Sequence, residues 1–287
     1  MVGPLLSVLL LGSVPVWGVG DPGTLLARDL GVAPPVAVDL AVDIPHVLAG
    51  SLSASGVLIV DLDSAQTVYA DRPLEPRPMA SLTKLMTALI VVENHSLDEP
   101  VRISPVAAAV NDNQIGVQAG DEYVLGDLLS AMLLHSANDA AVALAIHDAG
   151  SEDAFVEKMN ARAKALGLED TVYKTSTGFD AEGQQSTPRD LGILTTFVLG
   201  IPEISSRMAL SSATITSRSG TVLSFVHTHQ LLRQPNAIVA GKTGTTDGAG
   251  QCLMSVFKER GHRYAAVLLH SNDRYGDMRR ILSAFGD

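Results

Sequence analysis

Between Ser81 and Glu93 the chain runs through Leu82, Leu85, Met86, Ala88, Leu89, Ile90, Val91 and Val92 with almost no polar face left over. A helix that is apolar all round has to be buried on every side, so this segment sits at the centre of whatever fold forms. Lys84 lies in its first turn, and the burial that the apolar run demands also strips water from an amine. Ser81 stands three residues earlier, on the same helical face and one turn away, within reach of that amine. A lysine desolvated among apolar groups loses proton affinity, and a neutral amine is a competent general base for a hydroxyl. The helix start adds positive potential and a backbone N–H where an oxyanion would form. Taken alone, the pair is equally an N-cap serine and a snorkelling lysine.

Two further strings change that balance. Ser136-Ala-Asn138 falls in a break between two helical stretches, Leu125 to His135 and Asp139 to His147, where side chains can project into a cleft. Its hydroxyl can relay a proton to a leaving amine, and its amide can hold a substrate carbonyl or orient Lys84. Lys242-Thr-Gly244-Thr245 ends an apolar strand ahead of the turn Thr246-Asp-Gly-Ala-Gly250. Its glycine lets another backbone approach closely, so that an extended peptide can add alongside. Lys242 supplies positive charge and the N–H of Thr245 a second oxyanion donor. Together the strings hold the inventory of a serine acyl-transfer site that needs no histidine.

The surrounding pattern gives an α+β fold. Gly56 to Asp61 and Thr67 to Ala70 are β-rich runs around Asp63-Ser64-Ala65-Gln66, a hairpin signal. Helices follow over Glu152 to Leu166, capped by Ser151 and stopped by Gly167, and over Arg189 to Leu199, opened by Thr187-Pro188. Ala237 to Lys242, Cys252 to Phe257 and Tyr264 to Leu269 read as strands, and Tyr275 to Phe285 as a closing helix. An antiparallel sheet flanked by helices, with strands from both ends of the chain, would bracket a helical insert over about 101–225 inside a catalytic domain of 51–287.

Residues 1–20 carry no charge and hold an apolar run from Pro4 to Gly12, which reads as an export signal or, if uncleaved, an N-terminal membrane anchor. Residues 21–50, rich in Pro, Val, Ala and Asp, read as a spacer. With 31 acidic against 20 basic residues and no basic cluster interleaved with aromatics, a nucleic-acid partner is disfavoured. The single cysteine, Cys252, excludes an internal disulfide and reads as a buried, inert thiol. No Cys/His grouping shows metal-ligand spacing, so neither metal nor cofactor is expected.

The chain resembles the penicillin-recognising serine acyltransferases, and among them the low-molecular-mass penicillin-binding proteins, the serine-type D-Ala-D-Ala carboxypeptidases and their endopeptidase relatives. The resemblance runs from about Ser55 to Ile281. It rests on Met79-Ala-Ser-Leu-Thr-Lys-Leu-Met-Thr87, Ser136-Ala-Asn-Asp-Ala-Ala141, Met159 to Gly167, Thr177-Gly-Phe-Asp180, Ser186-Thr-Pro-Arg-Asp-Leu191 and Gly241 to Gly250. It implies a β-lactamase/transpeptidase-like fold and an exported, extracytoplasmic enzyme that acts on peptidoglycan peptides and is acylated by β-lactams. By position it implies Ser81 as nucleophile, Lys84 as base, and Ser136 and Asn138 as the rest of the proton path. Lys242, Thr243, Gly244 and Thr245 would hold the substrate carboxylate and the oxyanion, with Arg274, in Asp273-Arg-Tyr275, as a further carboxylate contact.

Departures from the pattern leave the bond cleaved open. Ser136-Ala-Asn138 is closer to the endopeptidase branch than to the Ser-Gly-Asn of typical carboxypeptidases, and His227 to Leu232 replaces an Asn-rich string. Many such relatives carry a second β-domain and a C-terminal anchor; with Asp287 soon after the catalytic domain should end, C-terminal tethering is not expected. Two rivals weigh against this reading, a class A β-lactamase and a silent wall-binding module. The first needs a glutamate four residues before an asparagine, whereas Glu157 and Asn160 are three apart in a helical stretch. The second has no use for Ser81, Lys84 and Lys242 together.

Overall fold

The computed structural model describes residues 44–286. The export segment and most of the spacer lie outside the described residues. The spacer reading stops short of residue 50, because Ile44–Leu48 forms a short helix, α1, whose Leu48 is buried against the sheet's outer layer.

The strands that the sequence distributes to its two ends meet in one sheet. β1 (Gly56–Asp61) and β2 (Thr67–Asp71) form the expected hairpin, and β7 (Ile238–Thr246), β8 (Gly250–Glu259) and β9 (His262–Ser271) a C-terminal meander. Their order is β2-β1-β9-β8-β7, and every neighbouring pair is antiparallel. The central strands are buried on both faces, which is why they read as unbroken apolar runs. In β1, Val57 and Ile59 face the outer layer while Leu58 and Val60 face the helical core, and in β8 Leu253 and Phe257 oppose Met254 and Val256 in the same way. The outer layer is completed by α9 (Arg274–Gly286), where Phe285 packs edge-on against Phe257 and Tyr264.

On the inner face lies α2 (Lys84–Asn94), preceded by a 3₁₀ turn over Ala80–Thr83; every α2 residue from Lys84 to Val91 is buried. The insert wraps it with α4 (Leu125–Leu134), α5 (Asn138–Ala149), α6 (Glu152–Ala165) and α7 (Pro188–Leu199), and the short α3 (Pro105–Ala108) and α8 (Pro202–Met208) pack at its margins. The Ser151 and Thr187 side chains accept hydrogen bonds from the N–H groups of Ala154 and Asp190, so both expected caps form.

The insert also holds two ribbons that the sequence reading lacks, β3 (Pro100–Arg102) with β4 (Glu122–Val124) and β5 (Ser212–Thr216) with β6 (Val222–Val226). In β5 and β6 only Ile215 and Phe225 are buried, with Ala213 and Leu223 half-buried on the same face; the alternation is present but spans just five residues with one large buried apolar side chain in each strand, a weak signal in sequence.

The chain's first folded residues are tied to its last helix by one buried carboxylate. Asp277 accepts from Ser53 N at 2.8 Å, Ala54 N at 3.0 Å, Ser53 Oγ at 2.8 Å and Ser271 Oγ at 2.6 Å. Removing it strands four donors, and buried groups left unpaired cost about 1–3 kcal/mol each before relaxation. Asp277→Ala is expected to lower the unfolding free energy by about 3 kcal/mol, seen in urea denaturation as a lower midpoint with an unchanged slope.

Candidate active site

Ser81 lies in the 3₁₀ turn and Lys84 opens α2, so the pair straddles a junction rather than occupying one regular helix. In 3₁₀ geometry, side chains three residues apart eclipse, which stacks the two groups more directly than an α-helix would. Lys84 Nζ lies 2.8 Å from Ser81 Oγ, 2.7 Å from Asn138 Oδ1 and 2.6 Å from the carbonyl oxygen of Thr177. The lysine is fully buried, and the desolvation of its amine brings the pKa down to about 7, against the upward pull of Asp139.

Those three contacts define what a neutral amine does here. It has two N–H groups and one lone pair, and the Asn138 and Thr177 oxygens can only accept. Both N–H groups therefore go to the carbonyls, and the lone pair faces the Ser81 hydroxyl, which donates to it. The Asn138 amide cannot rotate out of this arrangement, since its Nδ2 donates to Asp112 O at 2.7 Å.

The break between α4 and α5 is built around Ser136, whose φ of 62° is left-handed. Asn113 holds it there, with Nδ2 donating to the carbonyls of His135 and Ser136 at 2.8 and 2.9 Å. Asp139, buried at the start of α5, accepts from the N–H groups of Ile115, Gly116 and Val117 and fixes the loop from which Asn113 reaches. Sequence reasoning missed Asn113, Asp139 and Thr177 as parts of the site. Paired left-handed residues at Asp112 and Asn113, of the type that tolerates such φ, are the local signal that could have marked the loop.

Lys242 departs from expectation. It is fully buried in β7 and does not line the cleft; its Nζ donates to Ser136 Oγ and to Thr243 O, both at 2.7 Å. Burial, then the charges of Lys84 and Arg274, hold its pKa well below the ordinary lysine value. Its amine is turned to Ser136 and to its own strand rather than to the cleft. β7 runs past Lys242 to Thr246, so the string forms the C-terminal end of the strand ahead of the expected turn.

Gly244 is where β7 passes Ser81. A Cβ there would sit 2.9 Å from Ser81 N, 3.0 Å from Ala80 Cβ and 3.2 Å from Met79 O, so only glycine allows the strand so close. Ala80 itself has φ 48°, a strained position immediately before Ser81. Arg274 reaches the same strand, its NH1 donating to Gly244 O at 2.7 Å and Cys252 O at 3.1 Å. Ser81, Ser136, Asn138, Thr243, Thr245 and Arg274 line one cleft of about 640 Å³.

The site uses no charged histidine and no thiol. Burial lowers the pKa of His227 to about 3 and of His229 to about 4, with Lys242 and Arg274 respectively adding to the effect. Cys252 is buried, and desolvation pushes its thiol up to about 11, in accord with an inert role.

Over residues 43–273 the sequence matches the family described as D-alanyl-D-alanine carboxypeptidase, peptidase S11. The chain belongs to that family. It is 30% identical to the D-alanyl-D-alanine carboxypeptidase DacF of Bacillus subtilis over 75% of its own length, and spans 57% of that relative. It is 34% identical to the D-alanyl-D-alanine endopeptidase of Escherichia coli, with 73% of this chain and 67% of that one aligned. Its fold matches the crystal structure of a D-alanyl-D-alanine carboxypeptidase from Mycobacterium tuberculosis with a TM-score of 0.76 at 28% identity, covering 88% of this chain and 95% of the other. The antiparallel sheet with helices expected from the sequence is the architecture of these neighbours.

Gly244→Ala tests the close approach of β7. A displacement near 1 Å at a reacting group typically costs about 10²-fold. The variant is expected to keep its circular dichroism spectrum and to lose about that factor in the second-order rate of labelling by a fluorescent penicillin.

Proposed function

We propose that this protein is a serine DD-peptidase that acts outside the cytoplasm on peptidoglycan stem peptides, removing a terminal D-alanine through an acyl-enzyme on Ser81. The observation that carries the proposal is the buried Lys84 amine, whose Nζ lies within hydrogen-bond distance of Ser81 Oγ, Asn138 Oδ1 and Thr177 O, so that in its neutral form the lone pair is left for the Ser81 hydroxyl. Family membership supports the substrate class. The uncharged apolar run of residues 1–20 supports export, with retention as an N-terminal anchor as the alternative.

Lys84 takes the proton of Ser81 as Oγ adds to the scissile carbonyl, and the N–H groups of Ser81 and Thr245 receive the oxyanion. The C–N bond breaks when the leaving amine is protonated, and Ser136, held by Lys242, carries that proton from Lys84. Water then takes the place of the amine, Lys84 again accepting its proton, and Ser81 is restored. Thr243, Thr245 and Arg274 face the cleft where a terminal carboxylate would lie, with Lys242 behind them holding Ser136.

Ala137 in the Ser136–Asn138 string and the endopeptidase named among the relatives support a second reading, cleavage of peptide cross-links. Mass analysis of the products from a cross-linked muropeptide decides between them: free D-alanine for the first, separated stem peptides for the second. A β-lactamase reading finds no support, since no described residue lining the cleft is a glutamate, and Asn160 is engaged with Val156 O and Tyr173 O away from it.

Because the active form is the deprotonated amine, the acylation rate should rise with pH up to about 7 and level off above it. Stopped-flow measurement of β-lactam acylation between pH 5 and 9 gives the profile, and a rate that falls across this range would remove Lys84 as base. Mass spectrometry should place the adduct on Ser81. Without a dedicated base for a bulky adduct, its hydrolysis should be slower than peptide turnover by about 10²–10⁴-fold.

Recognition of the carboxylate is read from paired peptides ending in free acid and in amide. Charge-assisted hydrogen bonds are worth roughly 1.5–3 kcal/mol, so Arg274→Ala should reduce the acid-over-amide ratio in kcat/KM by about 10- to 150-fold. A merely structural role for Arg274 would lower both substrates equally and leave that ratio unchanged.

A further inference from the structure

The two helices that carry Lys84 and Asn138 at their starts bring a second group of donors together at their far ends. α2 closes on His95, about 16 Å along the helix from Lys84 at 1.5 Å per residue. α5 carries His147 in its last turn, and Glu99 stands in the segment between α2 and β3. His95 Nδ1 lies 2.9 Å from Glu99 Oε2, and His147 Nε2 lies 3.3 Å from the same oxygen. The imidazole centroids are 4.9 Å apart, and one donor atom from each of the three residues falls within 4.8 Å of the others.

We propose that His95, Glu99 and His147 form a binding site for a divalent transition-metal cation, with zinc as the preferred ion and solvent completing the coordination. Bonds of 2.0–2.2 Å in a tetrahedron put ligand atoms about 3.4 Å apart, so the two contacts to Glu99 need change by only a few tenths of an ångström. Two imidazoles and one carboxylate are the donor set that borderline cations take over calcium or magnesium.

The groups around the three are arranged as an outer shell is. His95 Nε2 meets Asp148 Oδ2 at 3.1 Å, and Asp148, whose side chain is only 1% exposed, is itself held by Asn94 at 2.8 Å and Lys158 at 2.7 Å. A carboxylate on the far nitrogen of a ligating histidine fixes its tautomer and aims the other nitrogen's lone pair at the metal. Glu99 Oε1 is pinned by the N–H of Ser96 at 2.7 Å.

His95 lies between two carboxylates, Glu99 at Nδ1 and Asp148 at Nε2. A cation between His95 Nδ1, His147 Nε2 and Glu99 Oε2 would take one bond from each of the three. It would also lie at the C-terminal ends of α2 and α5, where the helix dipoles favour positive charge. The ligands are 18%, 37% and 25% exposed at the side chain, open enough for an ion to enter.

No sequence spacing announced this group, because His147 comes from a different helix. A second His/Asp group, Asp61, Asp63 and His262, serves as the internal control. There Asp63 is already taken by the Arg263 guanidinium at 2.7 and 3.0 Å.

The test uses the full chain stripped with a chelator and titrated with zinc chloride against a chromogenic competitor, with thermal unfolding followed in parallel. Wild type should bind one equivalent and unfold at a higher temperature when zinc is present. Asp148→Asn should weaken binding by about 10- to 100-fold. His147→Gln and Glu99→Gln should weaken it further and abolish the thermal shift, while His262→Gln should leave both unchanged. Penicillin labelling of Ser81 in each variant checks that it is folded. Equal zinc affinity in wild type and His147→Gln, or loss of binding in His262→Gln, would overturn the proposal.

Discussion

The removal of one lysine amine from water is the constraint on which the rest of this structure depends. Lys84 is buried because α2 has no polar face, and a buried amine needs partners for every hydrogen it keeps. Those partners come from three separate parts of the chain: the 3₁₀ turn before α2, the start of α5, and the loop that carries Thr177. The sheet, the insert and the loop before α7 therefore have to be assembled before the amine is satisfied. The same assembly makes it basic toward one hydroxyl, since desolvation leaves the amine near neutrality at physiological pH.

A second buried lysine meets the same problem from the sheet side. Lys242 enters through β7 and resolves its burial on Ser136 and on its own strand's backbone. Burial and then the charge of Lys84 raise the cost of charging Lys242. Ser136 is held in a left-handed conformation at this point, and Ala80 is held in one beside Ser81. Both strained residues are braced by neighbours, Ser136 by Asn113, and Ala80 by Gly178, which approaches so closely that a Cβ there would sit 2.0 Å from Ala80 O. Strain of this kind persists only where the surroundings over-determine it, and here they do so on both sides of the cleft.

α2 and α5 act as paired struts. Their N-terminal ends place Lys84 and Asn138 at 2.7 Å from each other, and their C-terminal ends meet in the cluster of His95, His147, Glu99 and Asp148.

The sequence by itself determined the elements whose signal is local. Apolar periodicity marked α2, the capping residues Ser151 and Thr187 marked α6 and α7, and unbroken apolar runs marked the central strands, because each rests on residues adjacent in the chain. The three strings carrying Ser81, Ser136 and Lys242 were legible for the same reason, and family resemblance supplied their order of use. Tertiary structure alone decided that Lys242 faces Ser136 and not the cleft, that Thr177 contributes a carbonyl, and that Asp139 anchors the loop of Asn113. It also decided that His95, Glu99 and His147 converge between two helices, and that the ribbons β5 and β6 exist at all. Each of these depends on contacts between distant segments, where a backbone carbonyl has no sequence signature and a side chain's direction is set by what packs behind it.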